Sequence, residues 1–344
     1  MTLYDQLAQL PITIERYDVS LTERATSSGF TRTTTTIELH GENAVGYGED
    51  VIYDNERHYS FVDQPTTPPP GSYTHRTFSK AVGALALAPD PTEQAYRRWG
   101  FESAALDLAL KQDGTNFAAV LGEEYDPVRF VVSTRLGDPP TFERIETLLE
   151  RYPSTEFKLD PTSEWTPTLI DRLAETGRVR ILDLKGHYEG TEVDQPPDLE
   201  LYERVLERFP EAIVEDPALT DATEELLAPN TERISWDAPI HGVTDIEALP
   251  FEPAVLNIKP SRFGSLESLL ETIEHCQSNG IEMYGGGQFE LGVGREHVHA
   301  LASMFYPHGA NDVAPTAYND PELTAELPTS PLSPPRQPTG LGWS

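Results

Sequence analysis

Lysine is rare in this chain of 344 residues, and the placement of the few lysines suggests chemistry. Five of the 25 lysine and arginine residues are lysines. Lys158, Lys185 and Lys259 lie in short apolar runs, whereas a solvated lysine is expected on a charged surface. The run ending at Lys259 is closed by Pro260 and opens into a polar turn, as buried parallel strands do where they reach a functional loop. A lysine at such a position is a candidate acid or base.

Acidic residues end three neighbouring runs of the same kind. Asp183, Glu215 and Asp237 are separated by 32 and 22 residues, about one β/α unit each. In a parallel barrel the carboxyl ends of the strands meet at one mouth, so we expect these carboxylates to converge. Buried together they would repel one another unless a cation lay between them. Oxygen ligands of this kind favour Mg²⁺, with Mn²⁺ as a substitute, although surface charge or helix capping is the simpler interpretation of each residue alone.

The elements that would position these residues form a repeat. Short apolar strands alternate with charged amphipathic helices over residues 126–320, which predicts an α/β fold, a TIM-type (β/α)7–8 barrel. Strands are predicted to begin at Val128, Glu156, Val179, Ala212, Arg233, Val255 and Ile281, with a weaker eighth near Asp312. Helices are predicted over 98–112, 141–150, 167–175, 199–209 and 266–277.

Two further segments flank the predicted barrel. In residues 1–125 strand-like alternation precedes helical spacing, which predicts an α+β domain. Residues 321–344 are rich in proline and are expected to cover the surface as a tail without regular structure.

The order lysine, aspartate, glutamate, aspartate, lysine on consecutive strands resembles the enolase superfamily, and within it the mandelate racemase/muconate lactonizing enzyme group. The threonines at 33–36 and Gly-Tyr-Gly-Glu at 46–49 look like the capping domain of that family, and residues 257–264 look like its sixth-strand lysine motif. The resemblance covers nearly the whole chain. It implies that residues 1–125 form a lid over the barrel.

This resemblance implies Mg²⁺-assisted abstraction of the proton α to a carboxylate, giving an enediolate that the metal stabilises. It assigns the three carboxylates to the metal and Lys259 to the acid or base, and it matches Lys158 to the first lysine of a second-strand pair. The family's cap loop would fall at residues 27–30, which makes Ser28 and Phe30 candidate substrate contacts. Gln288 and Glu290, in a glycine-rich loop after the seventh strand, are further candidates.

Two positions depart from the family pattern. Asp160 stands where the second-strand pair has its second lysine, and Lys185 stands where the third strand often has asparagine. Lys185 is therefore a candidate for the missing catalytic role, or else forms an ion pair with Asp160. No histidine ends the seventh strand, which argues against a racemase that depends on a histidine.

We expect an enzyme, a Mg²⁺-dependent lyase or isomerase acting on a small carboxylic acid. With one clearly matched base, Lys259, dehydration of a hydroxy or sugar acid is the expected reaction, and a cycloisomerase or racemase of the same superfamily is the alternative. Two other interpretations are a Schiff-base aldolase that uses Lys259 and a metal-binding barrel without turnover, which Asp160 suggests. Barrels of this family commonly assemble symmetrically, so a homo-oligomer is expected.

The composition narrows the setting. The formal net charge is −32, from 57 acidic residues spread along the chain, which indicates a high-salt cytoplasm or, less simply, a cation-binding or nucleic-acid-mimicking surface. The shortage of lysine favours the halophilic interpretation. Without a basic stripe or a run of 18 apolar residues, we expect neither nucleic acid nor a membrane as a partner. Cys276 is the one cysteine, so a reducing cytoplasm is expected.

Overall fold

The computed structural model describes residues 1–188, 194–323 and 326–343. Residues 189–193, inside the predicted barrel, and residues 324–325 and 344, inside the predicted tail, lie outside the described residues. None of the described helices is long and apolar enough to cross a membrane.

A short helix and four strands open the described chain, and parallel strands that alternate with helices make up its second part. The strands are β1 (Pro11–Ile14), β2 (Arg16–Ala25), β3 (Thr31–His40), β4 (Val45–Asp50), β5 (Gly71–Thr74), β6 (Val132–Thr134), β7 (Phe157–Leu159), β8 (Val179–Asp183), β9 (Ile213–Glu215), β10 (Ile234–Trp236), β11 (Val255–Ile258) and β12 (Glu282–Gly285). The α-helices are α1 (Leu3–Leu7), α2 (Asn55–Asp63), α3 (His75–Gly83), α4 (Pro91–Gln112), α5 (Phe117–Leu121), α6 (Glu143–Arg151), α7 (Pro167–Glu175), α8 (Leu199–Arg208), α9 (Asp221–Leu227), α10 (Val243–Glu247), α11 (Pro260–Phe263), α12 (Leu266–Asn279) and α13 (Val293–Phe305).

The N-terminal part is built from an antiparallel sheet of β2, β3 and β4 with α4 packed against it. Glycines make the close packing possible. A Cβ atom on Gly48 of β4 would lie 1.9 Å from the carbonyl oxygen of Gly100 in α4, and one on Gly46 would lie 2.2 Å from the carbonyl oxygen of Ala104. Helix α4 starts where the side chain of Asp90 accepts hydrogen bonds from two N–H groups of its first turn. The Gly-Tyr-Gly-Glu segment is thus a contact between sheet and helix.

The C-terminal part is organised around seven parallel strands that lie in chain order from β6 to β12 in one sheet of the described structure. Residues 311–312 bridge the two edges of this sheet, since Val131 N donates to Asn311 O at 2.8 Å and Asp312 N donates to Gly285 O at 2.8 Å. The predicted eighth strand is therefore a pair of isolated bridges. All the carboxyl ends face one mouth, as predicted for a barrel of this class.

The first barrel strand starts later than the sequence predicts. Val128 forms an antiparallel bridge with Leu332, Phe130 bridges Asn311, and β6 begins only at Val132. The apolar run is thus divided between the C-terminal segment and the barrel. Residues 326–343 contain no helix or strand, and Leu341 among them is fully buried.

Candidate active site

Three carboxylates converge at the mouth of the barrel. Asp183 is the last residue of β8, Glu215 is the last residue of β9, and Asp237 follows β10 directly. All three are fully buried, and one oxygen from each lies within 4.8 Å of the others. The parallel register places Asp183 opposite Glu215 on adjacent strands. The predicted convergence of these three residues is therefore present.

The chemistry of this cluster fits a divalent cation. Oδ1 of Asp237 is buried and has no hydrogen-bond partner among the described residues, which is costly unless a cation binds there. Burial raises the pKa of Glu215 well above its usual value, and the neighbouring charge of Asp183 adds to the effect. Oxygen ligands in this number leave coordination positions for water and substrate, as Mg²⁺ requires. The residues present fit Mg²⁺.

Asp216 fixes the backbone at Asp237, one of the three converging carboxylates. Its φ of 47° lies in the left-handed region, and its carboxylate accepts hydrogen bonds at 2.8 Å from the N–H groups of Asp237 and Ala238. Burial, together with the charge of Asp237, raises the pKa of Asp216 to about 7. The strained turn thus fixes where Asp237 leaves its strand.

Lys158, in the middle of β7, lies among the carboxylates. Its Nζ is 2.5 Å from Glu215 Oε1, 3.2 Å from Asp183 Oδ2 and 3.6 Å from Asp312 Oδ2. Burial alone would lower the pKa of Lys158, but the facing carboxylates outweigh it and hold the pKa well above its usual value. Lys158 is therefore a fixed positive charge at the base of the site.

Lys185 lies between two carboxylates from neighbouring strands. Its Nζ donates a hydrogen bond to Asp183 Oδ2 and lies 3.9 Å from Asp160 Oδ1. Its backbone φ of 56° is unusual for a residue with a side chain. Burial opposes the charge of Lys185, but Asp160 and Asp183 together raise its pKa well above the usual value. The ion pair with Asp160, one of the two predicted roles of Lys185, is present.

Lys259 follows β11 and precedes α11, whose first residue is Pro260. Its Nζ donates to Asp237 Oδ2 at 2.8 Å. The buried side chain of Arg262 also reaches Asp237 Oδ2, at 3.2 Å, and donates to the hydroxyl of Tyr188 at 3.1 Å. Lys259 is thus tied to the carboxylate cluster from the side of the barrel opposite to Lys185, because β8 and β11 lie three strands apart.

A cavity of about 810 Å³ lies above this cluster, between the barrel mouth and the N-terminal part. Its wall includes the three predicted catalytic lysines and three of the four predicted substrate contacts. The lysines are Lys158, Lys185 and Lys259, and the substrate contacts are Ser28, Phe30 and Gln288.

Glu290 is not among the described residues that line the cavity. Its Oε2 lies 3.0 Å from Arg295 Nη2, and its Oε1 accepts a hydrogen bond from Gln288 N at 2.7 Å. A Cβ atom on Gly287 would lie 2.3 Å from Glu290 Oε2, and one on Gly286 would lie 2.7 Å from Cε of Lys259. Glycine at 286 and 287 thus lets Lys259 and Glu290 approach the backbone, while Gly287 itself lines the cavity.

The sequence matches one protein family over both parts of the chain. Residues 124–320 match the C-terminal domain of the family described as domain of unknown function (DUF8230), and residues 5–120 match its N-terminal domain. The chain belongs to the DUF8230 family. The two matched segments adjoin between α5 and β6.

Curated relatives of the DUF8230 chain are named o-succinylbenzoate synthase. The protein of Bacillus subtilis (strain 168) is 26% identical over 212 residues, which are 60% of this chain and 55% of that protein. The protein of Listeria innocua is 38% identical over 73 residues, which are 21% of this chain and 20% of that protein. The DUF8230 chain thus spans about half the length, or less, of the curated relatives it matches.

Solved structures share the fold. The muconate lactonizing enzyme from Pseudomonas putida superposes with a TM-score of 0.70 at 20% identity, over 96% of each chain. The dipeptide epimerase from Methylococcus capsulatus, complexed with a Mg ion, superposes with a TM-score of 0.72 at 19% identity, over 96% of this chain and 99% of that one. The DUF8230 chain thus has the fold of these two enzymes, as expected from its resemblance to the mandelate racemase/muconate lactonizing enzyme group of the enolase superfamily. The resemblance predicted from the sequence is confirmed.

Several residues of the DUF8230 cavity were not singled out from the sequence. Tyr53 and Tyr96 come from the N-terminal part, and their hydroxyls hydrogen-bond the side chain of Gln288 at 2.9 Å and 3.1 Å. Tyr188 and Arg262 meet at Asp237. The spacing of Arg262, three residues after Lys259 and one turn along α11, was a usable signal. Nothing in the sequence indicates which tyrosines of the N-terminal part would reach the barrel.

Proposed function

We propose that this chain is an enzyme that removes the proton α to the carboxylate of a small organic acid, as a Mg²⁺-dependent lyase or isomerase. The observation that carries the proposal is the convergence of three buried carboxylates, Asp183, Glu215 and Asp237, with lysines at one cavity. The o-succinylbenzoate synthases, the muconate lactonizing enzyme and the dipeptide epimerase among its relatives support the same class of reaction.

In this proposal the three carboxylates hold Mg²⁺, or Mn²⁺ in its place. When bound there, the metal would offset the negative charge that develops on the carboxylate of the substrate. Lys158, held by Glu215 and Asp183, supplies a further fixed positive charge beside that carboxylate.

Lys259 is the proposed acid or base on one side of the substrate. Its Nζ is held by Asp237 Oδ2 at 2.8 Å and lines the cavity, so the nitrogen is positioned to accept a proton as the neutral amine or to donate one as the ammonium. Lys185 lines the opposite side, and it comes from the third barrel strand instead of the second. We assign to Lys185 the role that Asp160 cannot fill.

Dehydration of a hydroxy or sugar acid is the reaction we propose first, since one lysine on one face is sufficient for an elimination. Isomerisation, by a racemase or a cycloisomerase, is the second candidate. The position of Lys185 and Lys259 on opposite sides of the cavity favours it, because an inversion of the α-carbon needs an acid on one face and a base on the other.

We propose that residues 1–125 act as a lid over the barrel of residues 126–320, with residues 321–344 as a covering tail. Ser28 and Phe30 line the cavity from the loop between β2 and β3, and Gln288 lines it from the barrel side. These three residues would therefore contact the part of the substrate that does not react.

Proton exchange in D₂O tests the proposal. A panel of hydroxy acids, sugar acids, N-acylated amino acids, dipeptides and precursors of o-succinylbenzoate is incubated with the protein in high salt, and incorporation of deuterium at the α-carbon is followed by NMR. We expect exchange with at least one acid in Mg²⁺ and none in EDTA. Loss of water from the same acid would identify a lyase, and exchange with inversion would identify an isomerase. Exchange that persists in EDTA, or a borohydride-trapped adduct on Lys259, would contradict the metal-dependent reaction.

A further inference from the structure

A carboxylate of the N-terminal part binds the amino terminus of the last barrel helix. Glu49, at the end of β4, is buried, and its two oxygens accept hydrogen bonds from the N–H groups of Leu291 at 2.7 Å, Gly292 at 3.0 Å and Gly294 at 2.8 Å. Helix α13 has no side-chain cap of its own. Glu49 therefore supplies, from another part of the chain, the negative charge that a helix amino terminus binds.

The close approach of Glu49 depends on a glycine. A Cβ atom on Gly294 would lie 2.9 Å from Glu49 Oε2 and 3.0 Å from Glu49 Cβ, so a larger residue would push the carboxylate away. Gly294, in the first turn of α13, thus leaves room for a side chain of the N-terminal part.

Arg32, in β3, binds the same barrel segment a few residues earlier. The residue is 1% exposed, and its guanidinium donates to the carbonyl of Gln288 at 3.0 Å and to the carbonyls of Val51 and Ile52 at 2.5 Å each. It also lies over the ring of Tyr53, 4.4 Å from the ring centroid. One buried cation thus joins the segment that carries Tyr53 to the segment that carries Gln288.

The segment between these two anchors forms a wall of the cavity. Gln288 and Phe289 line it, and Phe289 has a φ of 54°, in the left-handed region. A phenylalanine in that conformation is strained and needs surrounding contacts to hold it. Besides the bonds from Gln288 to Tyr53, Tyr96 and Glu290, the contacts on the wall include the Arg32 bonds on one side and the Glu49 bonds on the other. The ring of Phe30 also packs there, with its centroid 5.5 Å from that of Phe289.

We propose that Arg32 and Glu49 are positioning residues that hold the Gln288–Phe289 wall in its binding conformation, so that seating of the N-terminal part on the barrel sets the shape of the cavity. Neither residue lines the cavity among the described residues. The effect on catalysis rests on the proposed function. The effect on the conformation of the wall is independent of that function.

The test compares Glu49→Gln and Arg32→Lys with Glu102→Gln in the full chain with saturating Mg²⁺. In Glu49→Gln, an NH2 group replaces one carboxylate oxygen and faces the backbone N–H donors. About half of the hydrogen bonds that Glu49 accepts are therefore lost. Glu102, in α4, is a matched control. Like Glu49, it is a buried carboxylate of the N-terminal part that approaches a barrel helix, since its Oε2 lies 3.5 Å from Leu266 N of α12, but it does not touch the wall. The measurement is hydrogen exchange of the peptides covering 286–294, followed by mass spectrometry.

We expect exchange of these peptides to become at least about tenfold faster in Glu49→Gln and Arg32→Lys, and to stay unchanged in Glu102→Gln. Mg²⁺ affinity should be unchanged in all three proteins. For any acid that shows α-proton exchange, KM should rise about tenfold or more in the first two variants, with a smaller change in kcat. Protection of 286–294 that is equal in Glu49→Gln and Glu102→Gln would overturn the inference, whatever the activity. Failure of every acid to exchange would instead count against the proposed function alone.

Discussion

Asp160 and Lys185 both differ from the residues that the resemblance leads one to expect at their positions. Asp160 comes two residues after Lys158, where the enolase-superfamily pattern that the sequence resembles has a second lysine, and Lys185 comes after β8, where that pattern often has asparagine. The structure brings the two substituted residues within 3.9 Å of each other, with Lys185 facing the cavity. A lysine ammonium is therefore kept at this side of the mouth, although it is attached to the neighbouring strand.

The first prediction concerns this relocated lysine. Replacing Lys185 with alanine should lower the rate of α-proton exchange by about 10²–10⁴-fold, the usual contribution of a positioned acid or base. Mg²⁺ affinity, measured by calorimetry, should not weaken, because the substitution removes a positive charge beside Asp183. Lys80→Ala, at an exposed position of α3, is the control and should exchange at the wild-type rate. An unchanged rate in Lys185→Ala would leave the residue with a structural role only.

At the scale of elements, the sequence predicted those features that depend on residues close together in the chain. Helix α7 was predicted with its observed bounds, since Thr166 caps it and Pro167 occupies its first turn. The three carboxylates were also found from sequence, because the end of a buried strand is a local feature and parallel strands share one register. Long-range pairing was not predictable. The run from Val128 looked like one strand, but its first part pairs with Leu332, about 200 residues away along the chain.

The same distinction applies to the cavity wall. The run of glycines before Gln288 indicated a loop that could admit substrate, and Gln288 does line the cavity. Whether Glu290 would do so depended on a partner outside the loop, Arg295, and on the seating of Glu49. The contribution of Tyr53 and Tyr96 depended in the same way on how two distant parts of the chain dock.

The free energy of unfolding should depend on pH because of His297, a buried residue of α13. Burial lowers the pKa of His297 to about 4, despite the nearby charge of Asp107, and neither ring nitrogen has a hydrogen-bond partner among the described residues. An unfolded histidine has a pKa of about 6.5, so between these values the unfolded chain binds a proton that the folded chain excludes. The folded state therefore loses about 1.4 kcal/mol per pH unit from this group as the pH falls through that window.

Unfolding by urea at pH 7 and pH 5, at constant ionic strength, tests this effect. His297→Phe should lose less stability on acidification than the wild type, by about 2 kcal/mol. His308→Phe is the control because His308 is exposed, and it should behave like the wild type. An equal loss in His297→Phe and the wild type would show that His297 does not resist protonation.

At the scale of the whole molecule, the net charge of −32 is the main source of electrostatic repulsion. Like charges distributed over one surface repel, and added salt shortens the range of that repulsion to about 3 Å at 1 M. The buried parts of the structure are organised differently. The site pairs Lys259 with Asp237, and the interior of the N-terminal part pairs Arg97 with Asp50. We therefore expect salt to act on the surface and not on these pairs.

Thermal unfolding in increasing KCl measures that expectation. The midpoint temperature should rise by at least about 5 °C between 0.05 M and 1 M KCl, because screening relieves the self-repulsion of the folded state. Glycerol at the same osmolality is the control for effects that do not depend on charge, and it should produce a smaller rise. A midpoint that is flat or falls with KCl would contradict the halophilic interpretation.

The most direct test of the account is α-proton exchange in D₂O by Lys259→Ala beside the wild type, with Mg²⁺ affinity measured on both proteins. The account predicts that Lys259→Ala binds Mg²⁺ at least as tightly as the wild type, because Asp183, Glu215 and Asp237 remain, while exchange falls by about 10²–10⁴-fold. Exchange at the wild-type rate in Lys259→Ala, with Mg²⁺ bound, would contradict the assignment of the acid or base to the end of β11.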